Sequence, residues 1–217
     1  MENIFAVYKP KGMTSHDVVD IVRKKTNVKR VGHGGTLDPL AEGVLVIAVG
    51  RENTKKLDEF VKGEKEYVAE IKLGYESTTD DEEGEKTLRQ AHDKQNPNKK
   101  AVEQAVKKFI GKILQTPPLY SSVKLQGKPA HRRIRKGQEV KLEPREVEIK
   151  NIEILEYIYP VIKIKVQTGP GVYIRSLARD IGKELKTGGY LKSLIRTRVA
   201  NFLLENSITV EELKLNP

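Results

Sequence analysis

Seven consecutive residues without a polar side chain, VLVIAVG at 44–50, constrain this chain more than any other stretch. The run has the length of a strand and falls far short of the ~20 residues of a membrane span. It does not alternate, so it predicts a buried strand. EYVAEIKLG reads differently: Tyr67, Ala69, Ile71 and Leu73 fall on one face, Val68, Glu70 and Lys72 on the other, the period of two of a strand. IFAVYKP, stopped by Pro10, adds another strand, and VEIKNIEILEY and VIKIKVQT add an antiparallel pair. Helical patterns lie between. Thr14 and Asp17 form a capping box before Val18, Ile21 and Val22. Asn98 caps a helix over 99–110 with the stripe Val102, Ala105, Val106, Phe109 and Ile110, ended by Gly111. Leu177, Ile181 and Leu185 mark a third helix, with Gly188 past its end. Strands and helices mix without a βαβ rhythm, which predicts an α+β fold with a mostly antiparallel sheet. No repeat or linker divides residues 1–217, so one domain is expected.

The formal net charge is +10. A basic excess of this size attracts polyanions, nucleic acid first. It is unevenly spread. Residues 124–145 carry eight bases, Lys124, Lys128, Arg132, Arg133, Arg135, Lys136, Lys141 and Arg145, against Glu139 and Glu143, a net charge of +6. This stretch has no sustained period and contains Gly127, Pro129, Gly137 and Pro144, which predicts a long mobile excursion. Arg175 to Arg198 carry a net +5. Two basic segments so far apart in sequence suit two sides of one groove. Residues 76–85, ESTTDDEEGE, hold six acids and no base. They lack the alternating ligands of a calcium loop and predict a solvated loop. There are no cysteines, which excludes disulfides, thiolate metal sites and a cysteine nucleophile. The N-terminus has no signal-peptide pattern, and a cytoplasmic location is expected.

The glycine-rich stretch VGHGGTLDPLAEGVL, 31–45, resembles a phosphate cradle but fails the test for one. No lysine and serine or threonine follow its glycines, and no strand is legible before it. Alone, Asp38-Pro39 reads as a turn. Its setting argues for more: Gly34 and Gly35 allow close backbone approach, and His33 lies five residues before the carboxylate. With no second carboxylate in the motif, paired acid–base hydrolysis is not indicated. One carboxylate can still attack an electrophilic carbon if an arginine keeps it ionised and oriented.

GHGGTLDPLAEGVL stands in order with YKPKGMTSHDVV, KEYVAEIKLGYESTTDDEEG, TPPLYSSVKLQGKP, GPGVYIRSLARDIG and LKSLIRTRVANF. Together they resemble the TruB family of tRNA pseudouridine synthases, from about residue 5 to about residue 213. The resemblance implies the pseudouridine synthase fold and isomerisation of uridine 55 in the T-loop of tRNA, without metal or cofactor. It implies action on tRNA alone, with no membrane and no obligatory protein partner, as a monomer.

It also assigns residues. Asp38 matches the catalytic aspartate, acting as nucleophile or, in the glycal version, as base. Arg175 matches the arginine that pairs with that aspartate; alone it would read as a surface charge at a helix start. Tyr67 matches the tyrosine that stacks on the target base and handles the C5 proton, although its strand face equally suits a core aromatic. His33 matches the histidine that helps extrude the uridine, since a base inside the loop must be flipped out. Tyr173 and Leu194 match residues lining the uridine pocket, and Lys9 supports the Asp38 loop. Lys124, Lys128, His131, Arg132, Arg133 and Arg135 belong to the insertion that grips the T-loop.

The chain departs from the family at three places. His131 replaces the usual tyrosine, Glu42 stands where threonine or serine is usual, and the sequence stops at Pro217 where most members continue into an RNA-binding PUA domain. The expectation is a form without that domain. Two other functions compete: a guide-RNA-dependent synthase of the dyskerin type, and a tRNA-folding chaperone. The basic insertion favours the stand-alone enzyme over the first. The presence of Asp38, Tyr67 and Arg175 argues against lost catalysis in the second.

Overall fold

The computed structural model describes residues 3–89, 96–121, 123–125, 128–129, 140 and 142–215. Strand β1 (Ile4–Lys9) leads to α1 (Ser15–Thr26), and β2 (Val31–His33) leads through the glycine-rich loop to β3 (Glu42–Val49). Short helices α2 (Arg51–Thr54) and α3 (Leu57–Lys62) precede β4 (Lys65–Leu73). β5 (Tyr75–Ser77) and β6 (Lys86–Leu88) pair around the acidic run. Then come α4 (Lys99–Lys107), β7 (Gly111–Gln115), β8 (Lys124–Leu125), β9 (Lys128–Pro129), β10 (Arg145–Ile158) and β11 (Val161–Thr168). Helix α5 (Ile174–Glu184), β12 (Gly189–Val199), β13 (Phe202–Leu203), β14 (Ile208–Thr209) and α6 (Val210–Leu215) complete the order.

The chain forms two compact units: Met1–Val68, Val166–Pro170 and Leu194–Pro217 make the first, Ala69–Lys165 and Gly171–Ser193 the second. Their boundaries fall inside β4, β11 and β12, so no linker was there to be read in the sequence.

In the first unit the hydrogen-bonded order is β14-β1-β3-β12. β1 and β3 are antiparallel, with Val7 opposite Leu45. β1 with β14 and β3 with β12 are parallel, so the sheet is mixed. Leu45 and Ile47 pack with Val18, Val19 and Val22 of α1. Val44 and Val46 pack on the other face with Ala6, Val199 and flanking Phe60 and Phe202. With both faces of β3 covered, every position in the run had to be apolar. The Thr14–Asp17 capping box forms as expected: the Asp17 amide donates to Thr14 Oγ1 at 3.1 Å, and the Thr14 amide donates to Asp17 Oδ2 at 2.8 Å.

In the second unit the order is β12-β4-β11-β10-β7, with β10 and β7 antiparallel. Asn98 caps α4 through the Ala101 amide, at 2.9 Å. That helix ends at Lys107, earlier than expected; Phe109 and Ile110 lie beyond it, and Gly111 (φ 102°) opens β7. The α5 stripe buries Leu177, Ala178 and Ile181.

Candidate active site

The strand missing before the glycine-rich loop is present after all. β2 is only three residues long, pairs antiparallel with β3, and has no apolar period to betray it. The Gly34 amide extends the pairing by donating to the Val46 carbonyl at 2.8 Å. Side chains then pin the loop. Ser15 Oγ, at the first turn of α1, donates to the Leu37 carbonyl at 3.0 Å and accepts from the Leu37 amide at 2.9 Å. The Gly12 amide donates to the Pro39 carbonyl, and the Ala41 amide closes a turn on the Asp38 carbonyl at 3.0 Å. Leu37, Leu40 and Ala41 are buried. Asp38 is therefore held half-buried on a tight turn anchored by its apolar neighbours.

Beneath this loop lies a residue that sequence reasoning missed. Arg196, on β12, is 2% exposed. Its Nε donates to the Val44 carbonyl at 2.8 Å, Nη2 to the Gly35 carbonyl at 3.1 Å and Nη1 to the Thr36 carbonyl at 3.4 Å. It also lies in the electrostatic reach of Tyr67 and Asp38. Burial pushes the guanidinium below the usual arginine range, and Tyr67 and Asp38 oppose that shift. A signal existed: Arg196 falls two residues after Leu194, on the buried face of β12.

Lys9 is fully buried, and its Nζ donates to the carbonyls of Pro10 and Met13 at 2.9 and 2.7 Å. Burial brings its pKa down to about 8, against the pull of Asp38 and Glu42. Glu42 accepts a 2.6 Å hydrogen bond from the Tyr8 hydroxyl. That bond, followed by burial and the carboxylate charge, pushes Tyr8 up to about 12. Glu42 is thus committed to protein partners. His33 is pushed below the usual histidine value by burial first, then by Arg196 and His16. Its Nδ1 is buried with no hydrogen-bond partner among the described residues. Tyr67 has the core character expected of it: it shares the buried face of β4 with Ala69, Ile71 and Leu73. Leu194 is buried on β12.

In the second unit the acidic run is only partly the solvated loop its composition predicts: Glu82, Glu83 and Glu85 are exposed, whereas Asp80 and Asp81 are not. Asp81 is 3% exposed; its Oδ2 lies 3.4 Å from Arg175 Nη1, and its Oδ1 accepts from Thr79 Oγ1 and, at 3.0 Å, from the Glu83 amide. Asp80 pairs with Arg179 at 2.8 Å. Arg175 and Arg179 are one turn apart on α5, so consecutive acids meet consecutive turns of the helix. Composition hid this because the partners lie about a hundred residues away. Arg175, 5% exposed, also donates to the Thr79 and Tyr120 carbonyls at 3.2 and 2.9 Å, so it is not the surface charge that its position at a helix start would suggest by itself. Tyr173 precedes α5, its backbone held by Gln115: the Tyr173 amide donates to Oε1 at 2.8 Å, and Nε2 donates to its carbonyl at 3.2 Å. Its side chain packs against Val123 and Leu142.

Lys124 and Lys128 lie on the two-residue strands β8 and β9. His131, Arg132, Arg133 and Arg135 lie outside the described residues. Among the described residues no cluster of three His, Asp or Glu side chains is placed to hold a metal ion, and no helix is long and apolar enough to cross a membrane.

Comparison with known proteins adds family evidence. The profile described as "TruB family pseudouridylate synthase (N terminal domain)" matches residues 23–174. That described as "tRNA pseudouridylate synthase B C-terminal domain" matches residues 175–216. A tRNA pseudouridine synthase B of Corynebacterium diphtheriae is 46% identical, over 97% of this chain and 72% of its own. Another from Alkaliphilus oremlandii is 44% identical, over 99% of this chain and 70% of its own. Among solved structures, a chain of a Cbf5-Nop10-Gar1 complex superposes with a TM-score of 0.74 at 31% identity, over 96% of this chain and 52% of that one. A chain of an H/ACA RNP bound to a substrate RNA containing 2'-deoxyuridine gives a TM-score of 0.70 at 29% identity, over 96% of this chain and 51% of that one. This chain spans about half the length of both solved chains.

Proposed function

The chain belongs to the TruB family of pseudouridylate synthases, and on that premise we propose that it isomerises uridine 55 in the T-loop of tRNA to pseudouridine. The observation that carries the reading is Asp38, held on a pinned turn within the field of two buried cations, Arg196 and Lys9. A turn held this firmly keeps its carboxylate in one place, which favours reaction at one atom of a bound nucleotide.

In the reaction the bond from N1 to C1′ breaks and one from C5 to C1′ forms, while C5 loses a proton and N1 gains one. Asp38 acts at the sugar as nucleophile or base. Tyr67 stacks on the base and handles the C5 proton; its place in the same unit as Asp38 supports this. Arg175 pairs with the aspartate, a role supported by its burial and its anchoring by Asp81. A fork fixed on one side keeps little freedom on the other. His33 helps extrude the uridine, and the depressed basicity of its ring favours a neutral imidazole there. Tyr173 and Leu194 line the uridine pocket. Lys9 braces the Asp38 loop, and Lys124, Lys128, His131, Arg132, Arg133 and Arg135 grip the T-loop phosphates. The protein acts in the cytoplasm, as a monomer and without a cofactor.

The test is incubation with unmodified tRNA alone, followed by carbodiimide-blocked primer extension. The wild type is expected to give a stop at the T-loop uridine, and Asp38→Ala to bind tRNA and give none. Turnover near wild type in Asp38→Ala would remove Asp38 from the mechanism. A guide-RNA-dependent function has one observation in its favour, the likeness to a chain of an H/ACA RNP. The higher identity to tRNA pseudouridine synthase B relatives favours the stand-alone enzyme. Absence of product on tRNA alone, with binding demonstrated, would reverse that choice.

A further inference from the structure

We propose that Arg196 is a positioning residue for the isomerisation, acting through the backbone of the Asp38 loop. The proposal rests on Asp38 and Tyr67 being the reacting pair.

A fully buried guanidinium is costly, and a chain keeps one only where partners compensate it. Here three partners are loop carbonyls. Gly35 and Thr36 lie just before Asp38, and Val44 lies just after the loop has become β3. One planar side chain thus ties both ends of the loop together. Lysine could not do this, since its single ammonium lacks the spread of a five-donor fork. Tyr67 lies in the electrostatic reach of the same guanidinium, so the group assigned to the C5 proton faces that fixed charge. The charge on Arg196 also lies in the field of Asp38, so loop, tyrosine and aspartate are referred to one fixed point.

The root of the side chain is fixed as well. Arg196 is paired in parallel with Gly43, whose φ is +108°, and a Cβ there would lie 2.3 Å from the Arg196 carbonyl oxygen. Only glycine lets β12 come this close to β3.

The test compares Arg196→Lys and Arg196→Met with wild type and Asp38→Ala, on unmodified tRNA below each variant's melting temperature. Melting, tRNA affinity and the single-turnover rate at saturating enzyme are measured. The methionine variant is included because an apolar residue of similar length in place of a buried cation is often tolerated. Both variants are expected to fold and bind tRNA as wild type does, with the single-turnover rate reduced roughly 100-fold, the scale of a misplaced reacting group. A wild-type rate in either variant overturns the proposal. So does a loss confined to KM with kcat intact, or failure of both variants to fold; these would make Arg196 an RNA contact or a purely structural residue. If Asp38→Ala stays active, the functional reading itself fails. If Asp38→Ala is inactive while Arg196→Lys is not, only the role of Arg196 falls.

Discussion

At the scale of single residues, Glu42 shows how a carboxylate is tied up within the fold. Its oxygen is engaged by Tyr8, and its charge acts on Lys9 within the protein. The consequence is measurable through Lys9. Its pKa falls from 10.5 in the open chain to about 8 in the fold. Below pH 8 both states hold the proton. Between pH 8 and 10.5 the unfolded chain keeps it and the folded chain releases it, so the unfolded state binds more protons and stability rises with pH. Urea midpoints measured from pH 7 to 9.5 should therefore climb more steeply in wild type than in Lys9→Met. That window stays below the titration of Tyr8 at about 12. Parallel pH dependences in the two proteins would show that Lys9 keeps an ordinary pKa in the fold.

At the scale of elements, α1 couples stability to the site. Its capping box satisfies orphan amides of the first turn, and Ser15, the next residue, holds Leu37 in the Asp38 loop. Thr14→Ala is expected to cost about 1 kcal/mol of unfolding free energy, read as a lower urea midpoint with an unchanged slope. An unchanged midpoint would mean that solvent caps the helix equally well. The same helix shows what sequence can reveal. Thr14, Asp17 and Asn98 could be read because capping chemistry lies within three residues of chain. β3 could be read because burial on both faces leaves no polar position. β2 and β12 could not: β2 is too short to show a period, and β12 takes β3 and β4 as partners from far back in the chain and carries charge on its buried face at Arg196. The acids at 80 and 81 looked solvated for the same reason. Their arginines are supplied by α5, and no local pattern announces a pairing of that range.

At the scale of the whole molecule, the net charge of +10 is the broadest statement about its ligand. Its densest segment includes Arg132, Arg133 and Arg135. Replacing all three with alanine should flatten the dependence of log Kd on log salt by roughly 0.9 for each duplex phosphate the protein then leaves unneutralised, with single-turnover rate at saturation preserved. An unchanged slope would place the phosphate grip on another surface. The division into two units has a consequence on the ribosome. The first unit needs residues 194–217 to complete it, and β1 takes Ile208 and Thr209 as its parallel partners. Strand β1 is made before every other described element, yet it must wait for some two hundred residues before that edge is paired. The unit that carries Asp38 cannot complete its sheet until those residues have left the ribosome, so its nascent strands stay exposed to the chaperones that meet the chain as it emerges.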